Sequence, residues 1–369
     1  MATSDKVYKI GMIGTGNIAP AYMKGTERFP NVEIVACADV DLDRAQAFAE
    51  KVGIRALTVD ELLNDPEIDI VLNLTIPAAH ADVSIAALNA GKHVYTEKPL
   101  AISVEDGQRI LDVAKEKGLL VGCAPDTVLG GGIQTCRKLI DEGAIGTPVG
   151  ATAFMGSSGP EKWHPNPFFF FEEGAGPMLD MGPYYLTTLV TLLGPIERIA
   201  GAARISFTER VAGHPSIQGQ KIGVTTPTYF SGVAEFASGP IGTITMTFDV
   251  WSHRMPRIEI YGSNGTLSVP DPNNFDGVVQ IWTPETKEWQ DIPLTHDGTV
   301  LRGTGLADMA YAIENQRPMR ASGELAQHVL EAMLAFRKSA DTGVHVILQN
   351  RVEQPEAIPV GDIETVLAQ

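Results

Sequence analysis

Two glycines and an alanine spaced G-x-G-x-x-A, in Gly14-Thr15-Gly16-Asn17-Ile18-Ala19, are the residues whose types and spacing point most directly to chemistry. That chemistry is the capture of a pyrophosphate, as in a dinucleotide cofactor. Gly14 can take backbone angles closed to other residues, Gly16 lets a phosphate approach the main chain, and Ala19 is small where a helix meets a strand. Asp39 lies 25 residues past Gly14, at the end of a second apolar run from Val32 to Ala38. An acid at about that distance accepts the ribose hydroxyls of NAD and repels a 2′-phosphate, which favours NAD over NADP; otherwise Asp39 is an ordinary strand-end acid.

Elements must hold these residues in place. The run into Gly14 reads as a strand, and the segment after Gly16 as the start of a helix. Leu42 to Val52 has helical spacing, and Ile68 to Leu74 reads as a buried parallel strand. His80 to Ala90 follows as a helix closed by Gly91, then His93 to Glu97 as a strand. A helix over 104–117 and a strand over 119–123 continue the alternation, which favours a doubly wound parallel sheet. Near residue 124 the rhythm changes. After one helix, about Gly131 to Glu142, period-two runs are separated by glycine, proline and asparagine. Strands are expected at 149–155, 196–206, 233–236, 241–250, 257–261 and 278–282, with a tight turn at Ser263-Asn264-Gly265. Amphipathic helices at 303–316 and 323–342 finish the chain. The expected division is 1–124 and 125–369.

Length and composition narrow the class. A chain of 369 residues suggests two domains. Its 28 basic and 45 acidic residues give a net charge of −17, which disfavours binding to nucleic acid or to an anionic membrane. A dinucleotide must therefore be held by local amides and a helix terminus. Met1 to Lys9 is polar, so no secretory signal is expected and the protein reads as cytoplasmic. Cys37, Cys123 and Cys136 lack C-x-x-C spacing and a nearby histidine cluster, so neither a disulfide framework nor a metal site is expected.

Several segments together resemble the glucose-fructose oxidoreductase, inositol dehydrogenase and rhizopine-catabolism protein family (Gfo/Idh/MocA). They are the glycine turn, Asn73-Leu74-Thr75-Ile76-Pro77 with His80, and Ala90 to Pro99, which ends in Glu97-Lys98-Pro99. Gly174 to Gly182 and the turn Gly262-Ser263-Asn264-Gly265 extend the likeness. The resemblance implies an N-terminal Rossmann domain followed by a C-terminal α/β domain. The large, mainly antiparallel open sheet of the second domain would build homodimers or homotetramers. It implies oxidation of sugars, polyols or related hydroxy compounds. Asn73, Thr75, Pro77 and His80 would lie near the cofactor, and Glu97 and Lys98 near the nicotinamide ribose. Lys98 would also reach the substrate hydroxyl, ahead of a cis bond to Pro99.

Hydride transfer from an alcohol carbon needs a nicotinamide face, a proton acceptor and donors that orient the substrate. Lys98 is the first candidate acceptor, provided burial or cationic company lowers its pKa toward the operating pH; the alternative is a solvated loop lysine. The family's usual pattern is Asp-x-Gly-x-His followed three residues later by Asp. This chain keeps Asp180 and Gly182 but has Tyr184 and Thr187 at the other two positions. Asp180 then holds a sugar hydroxyl, or caps a helix that Pro183 opens through Leu193. Tyr184 is a substrate partner or relay, or an aromatic covering the sheet.

Trp163 and His164, in a loop dense with aromatics and prolines, stack on and hydrogen-bond a sugar, or serve loop packing or a subunit contact. Asp126 would face the cleft by position, while His328 on an apolar stripe reads as structural. The implied activity is NAD-dependent oxidation of a hydroxyl on a cyclic sugar or polyol. Two alternatives stand beside it: glycoside cleavage or epimerisation through transient redox of NAD, and a non-catalytic protein that senses sugar or NAD.

Overall fold

The strand leading into the glycine turn, β1 (Tyr8–Ile13), is buried along nearly its whole length, and Gly14 turns the chain toward α1 (Ala19–Thr26). The computed structural model describes residues 6–296 and 299–368, so the polar start of the chain lies outside it up to residue 5. β2 (Val32–Ala38) runs parallel to β1. α2 (Leu42–Val52) starts where the Asp41 carboxylate accepts from Arg44 N at 3.2 Å, and stops at Gly53 with φ 79°. β3 (Arg55–Ala56) and α3 (Val59–Asn64) precede β4 (Ile70–Asn73), which is buried at every residue and pairs with the other side of β1. α4 (His80–Asn89), β5 (His93–Thr96), α5 (Val104–Lys117) and β6 (Val121–Cys123) complete the run. The sheet order is β3-β2-β1-β4-β5-β6, and every neighbouring pair is parallel. The order changes direction between β1 and β4. Cys37, Cys123 and Cys136 are buried free thiols, and burial pushes Cys37 up to about 11.

α6 (Gly131–Asp141) carries the chain into the second sheet. β7 (Pro148–Gly156) precedes the long helix α7 (Gly176–Leu193). β8 (Ile196–Arg204), β9 (Glu209–Val211), β10 (Lys221–Gly223), β11 (Tyr229–Phe236) and β12 (Ile241–Thr247) follow. β13 (Ile258–Gly262), β14 (Gly265–Val269), β15 (Val279–Trp282) and β16 (Trp289–Ile292) come next. With β17 (Val346–Ile347) the large sheet has the order β16-β15-β14-β13-β7-β12-β11-β8-β17, and β7 with β12 is its parallel pair. Ser263 and Asn264 form the expected tight turn, since Gly262 pairs with Gly265.

The hairpin of β9 and β10 was not expected, because strands of three residues are too short to display alternation. α7 differs from the expected helix at its start. Pro177 lies in its first turn, where a fixed φ favours helix, and the buried Met178, Leu179 and Gly182 extend its packed side back to Gly176. Pro183 therefore sits inside the helix, and Asp180 is a residue of its second turn rather than its cap.

α8 (Thr304–Asn315), α9 (Gly323–Thr342) and α10 (Ile363–Val366) end the chain. The compact units do not follow the division expected at residue 124. The first comprises the described residues of Met1–Gln134, Leu294–Gln327 and Pro355–Gln369; the second comprises Thr135–Pro293 and His328–Gln354. Specific bonds explain why the late segments return to the first unit. Gly303 N and Gly305 N both donate to the Asp126 carboxylate, at 2.8 and 3.2 Å, and Asn31 Nδ2 donates to the Ala307 carbonyl at 3.1 Å. Arg28 Nε meets Glu364 at 2.6 Å. No helix of the described residues is long and apolar enough to cross a membrane. Among those residues no group of three His, Cys, Asp or Glu side chains could hold a metal ion.

Within the second unit, Arg210 of β9 ties three segments together. Its guanidinium meets Glu161 at 3.0 Å, pairs with Asp249, and donates to the carbonyls of Ser158 and Phe248 at 3.3 and 2.8 Å. It also lies against the rings of Phe171 and Phe207. Arg210→Ala takes the shared cation from two buried carboxylates, leaving Glu161 with Lys162 at 3.5 Å and Asp249 with the Thr228 hydroxyl at 2.7 Å, and should cost about 3–5 kcal/mol. Cutting the exposed pair Lys221–Glu209 should cost about 0–1 kcal/mol. Equal urea midpoints for Arg210→Ala and Lys221→Ala would refute this ranking.

His328 is structural, as expected. Its Nε2 accepts from Ile196 N at 3.0 Å, so Nδ1 carries the hydrogen that meets the Asn350 carbonyl at 2.8 Å. Burial holds the imidazole below its usual range. A depressed histidine gives its full stabilisation above the unfolded value, about 6.5, and loses it as pH falls below that. Melting temperature should therefore drop from pH 7 to pH 5 in the wild type, and drop less in His328→Gln, whose amide has no comparable titration. Parallel slopes for the two proteins would refute the assignment.

Candidate functional site

The first unit brings the glycine turn, Asp39, the loop after β4 and the corner after β5 to the carboxyl ends of its parallel strands. Gly14 has φ 101°, and a Cβ there would stand 2.6 Å from the Leu74 carbonyl oxygen. Only glycine fits that approach of the β1 turn to the end of β4. The side of Gly16 where a Cβ would project is open, with no atom within 4 Å. Ile18, at the N-cap of α1, provides no side-chain acceptor, and the first turn contains no acid. In that first turn Ala19 N already donates to the Gly16 carbonyl at 3.2 Å, Ala21 N donates to the Ile18 carbonyl at 3.0 Å, and Pro20 has no N–H. It is therefore the open side of Gly16, the exposed Asn17 and the positive end of the helix dipole that suit an anionic pyrophosphate.

Thr15 belongs to the acid rather than to the phosphate. Its N–H and hydroxyl both donate to Asp39 Oδ2, at 2.9 and 3.0 Å, while Asp41 N donates to Oδ1 at 3.1 Å. Burial opposes the Asp39 charge, but these three donors and the cation of Arg44 hold the carboxyl below its ordinary range. Arg44, 3.8 Å from Asp39 and 58% exposed, is a neighbour the sequence reading did not weigh. A basic residue in the first turn of the helix after the ribose acid was a readable signal.

The loop after β4 is shaped by Asn73. Its amide donates to the His80 carbonyl at 3.1 Å and to Ser84 Oγ at 3.0 Å, and its oxygen accepts from Thr75 N and Thr75 Oγ1. Asn73 and His80 have no exposure and are spent on the loop, whereas Thr75 is half-buried and Pro77 is exposed. His80 stands between two carbonyls, with Nδ1 2.6 Å from Pro99 O and Nε2 3.0 Å from Thr75 O. Burial favours its neutral form, which can donate to only one of them at a time. The ring thus bridges the β4 loop to the corner after β5. There the Lys98–Pro99 bond is cis and Lys98 is half-buried. Glu97 accepts from Tyr22 Oη at 2.8 Å on one oxygen and from Lys98 N at 3.0 Å on the other.

Asp126 does not face outward. It has no exposure, its carboxylate receives the start of α8, and burial holds its carboxyl above the usual range despite Arg302. The role expected of it toward a substrate is replaced by this structural one, because the returning segment covers the end of β6.

In the second unit, Asp180 and Tyr184 are four residues apart on one side of α7, half-buried and 5% exposed respectively. Trp163 is 65% exposed. His164 Nδ1 accepts from Asn166 N at 3.0 Å, and its ring meets Trp163, Phe169 and Phe170 edge-on. The aromatic loop packs on itself and, through Phe170 and Phe171, on Phe248, with Trp163 as its open face.

The two glycines make different demands. Gly14→Ala forces a strained backbone against a carbonyl and should cost more than about 1 kcal/mol. Gly16→Ala has room in the fold and should leave the melting temperature nearly unchanged, yet its methyl should weaken NADH by about tenfold, or 1.4 kcal/mol. Fluorescence titration with NADH and a melting curve for each variant check this; unimpaired NADH binding in Gly16→Ala would remove the turn from the nucleotide site.

Comparison with known proteins shows the family and the fold. Residues 8–124 match a family model described as an oxidoreductase family with an NAD-binding Rossmann fold, and residues 133–268 match a GFO/IDH/MocA C-terminal domain. The chain is 29% identical over 337 residues to 1,5-anhydro-D-fructose reductase of Ensifer adhaerens, spanning 90% of this chain and 96% of the relative. Inositol 2-dehydrogenase of Salmonella typhimurium is 34% identical over 146 residues, 38% of this chain and 44% of that relative. The solved structure of levoglucosan dehydrogenase in complex with NADH shares the fold, with a TM-score of 0.81 at 19% identity over 94% of this chain and all of that one. Both domain models are matched in the order in which the two parts occur, and the chain belongs to the Gfo/Idh/MocA family of NAD-binding oxidoreductases.

Proposed function

We propose that this protein transfers a hydride between a nicotinamide dinucleotide and a hydroxyl-bearing carbon of a cyclic sugar or polyol, with Lys98 as the base. The observation that carries the reading is the held corner Glu97–Lys98–Pro99 at the end of β5, beside the strand whose loop touches the glycine turn. Relatives named for an anhydrofructose and for inositol support the substrate class. A bound nicotinamide supplies the hydride acceptor. In the oxidising direction the hydroxyl proton passes to neutral Lys98 Nζ as the carbinol C–H bond breaks and the carbonyl forms. Within the second unit, Asp180 and Tyr184 are the groups proposed to hydrogen-bond sugar hydroxyls, and Trp163 offers an aromatic surface to the apolar side of a ring. Asp39 favours NAD, whereas Arg44 offers a cation to a 2′-phosphate, so the balance between the two cofactors is set at these two residues. Assembly as a homodimer or homotetramer through the open sheet accompanies the reading.

The test is a panel of monosaccharides, inositols and 1,6-anhydro sugars assayed with NAD⁺ and NADP⁺ by absorbance of the reduced nicotinamide. Turnover should be faster with NAD⁺, and Lys98→Ala should lower kcat by about 10²–10⁴-fold. An unchanged rate in Lys98→Ala removes the lysine from proton transfer. Consumption of sugar without accumulation of NADH would indicate redox closed within each turnover, and binding without any turnover would indicate a sensor.

A further inference from the structure

Tyr22 is fully buried on α1, one turn beyond the glycine motif, and its hydroxyl donates to Glu97 at 2.8 Å across 75 residues of sequence. The other Glu97 oxygen accepts from Lys98 N, so one carboxylate joins the phenol to the backbone of the lysine. No segment between Tyr22 and Glu97 need move for this link to be felt. In a doubly wound sheet the dinucleotide crosses the strand ends at the point where the order reverses, here between β1 and β4. With Asp39 at the end of β2 taking the adenosine ribose and the turn before α1 taking the pyrophosphate, the second nucleoside falls on the side of β4 and β5. That side is where Glu97 stands.

We propose that Tyr22 is a positioning residue which, through Glu97, seats the nicotinamide half of the dinucleotide and the backbone of Lys98 from the same helix that receives the pyrophosphate. The proposal rests on the function proposed above. The phenol is suited to a fixed donor role. Burial, with the negative charges of Glu97 and Asp126 nearby, keeps its proton bound far beyond the ordinary tyrosine range, and Arg302 opposes this only in part. The link also opposes the cost of burying Glu97, which is 9% exposed. Removing the hydroxyl takes away a donor to that carboxylate while keeping the ring that fills the space under α1.

The experiment compares NADH with ADP, which has the adenylate and pyrophosphate but no nicotinamide riboside. Tyr22→Phe should weaken NADH by about tenfold and leave ADP within about twofold, since a hydrogen bond to a charged group is at stake at the far end only. Glu97→Gln should show the same selectivity, and Tyr22→Phe combined with Glu97→Gln should be no more than about twofold worse than either alone, because both changes break one link. Equal loss of NADH and ADP, no loss of NADH, or multiplying effects in the double variant would each overturn the proposal. If Tyr22→Phe does not fold, Glu97→Gln decides by the same pair of ligands: selective weakening of NADH supports the link, and equal or absent weakening overturns it. These readings need no turnover. Failure of Lys98 as the base would show as undiminished kcat in Lys98→Ala, independently of the NADH-to-ADP ratio.

Discussion

The parallel pairing of β1 with β2 on one side and β4 on the other is the constraint from which the candidate site follows. Strands that leave a central strand in opposite directions carry their loops apart, and the crevice between those loops cannot be filled by backbone from either. The carbonyl of Leu74, at the end of β4, comes so close to β1 that the turn residue must lack a Cβ. Gly14 is thus a packing requirement before it is a binding residue. The same closeness brings the Asn73 loop and the β5 corner within reach of α1.

In this chain of net charge −17 several carboxylates are buried, and five of them illustrate the local devices that hold such groups. Asp39 is held by the amide and hydroxyl of Thr15 in the glycine turn and by the amide of Asp41. Glu97 takes a phenol and an amide. Asp126 takes the amides at the start of α8 with Arg302 3.9 Å away, yet complete burial keeps its carboxyl harder to ionise. Glu161 and Asp249 share the full charge of Arg210. The devices differ in what they leave free: Asp39 and Glu97 stand at strand ends beside the crevice, while the other three fix segments of chain.

Substitution of the family's usual histidine and aspartate by Tyr184 and Thr187 changes what α7 can contribute. A phenol can donate or accept but has an unperturbed pKa near 10, so a proton acceptor near neutrality has to come from elsewhere. Under the proposed function that acceptor is Lys98, whose backbone is held by Glu97 and, through the Pro99 carbonyl, by His80. Asp180 keeps its position one turn before Tyr184, although the helix that carries both begins earlier than its internal proline suggests.

Much of the fold was legible because its signals are local. The helix over 104–117 is bracketed by Ser103 and Gly118, that over 42–52 by Asp41 and Gly53, and both match their expected bounds. The glycine turn, Asp39 and the Ser263-Asn264 hairpin were readable for the same reason, since a turn needs particular φ values within two or three residues. The start of α7, the three-residue strands of β9 and β10 and the limits of the two units were not, because each depends on what packs against the segment. By itself the sequence determined most of the longer secondary elements, the nucleotide turn and the chemical types available at 97–99 and 180–184. Only the tertiary structure decided that Tyr22 meets Glu97, that Asp126 serves α8 across 177 residues, and that His80 lies between two carbonyls. Periodicity and caps are written in neighbouring residues, whereas those contacts arise from the order in which strands lie side by side.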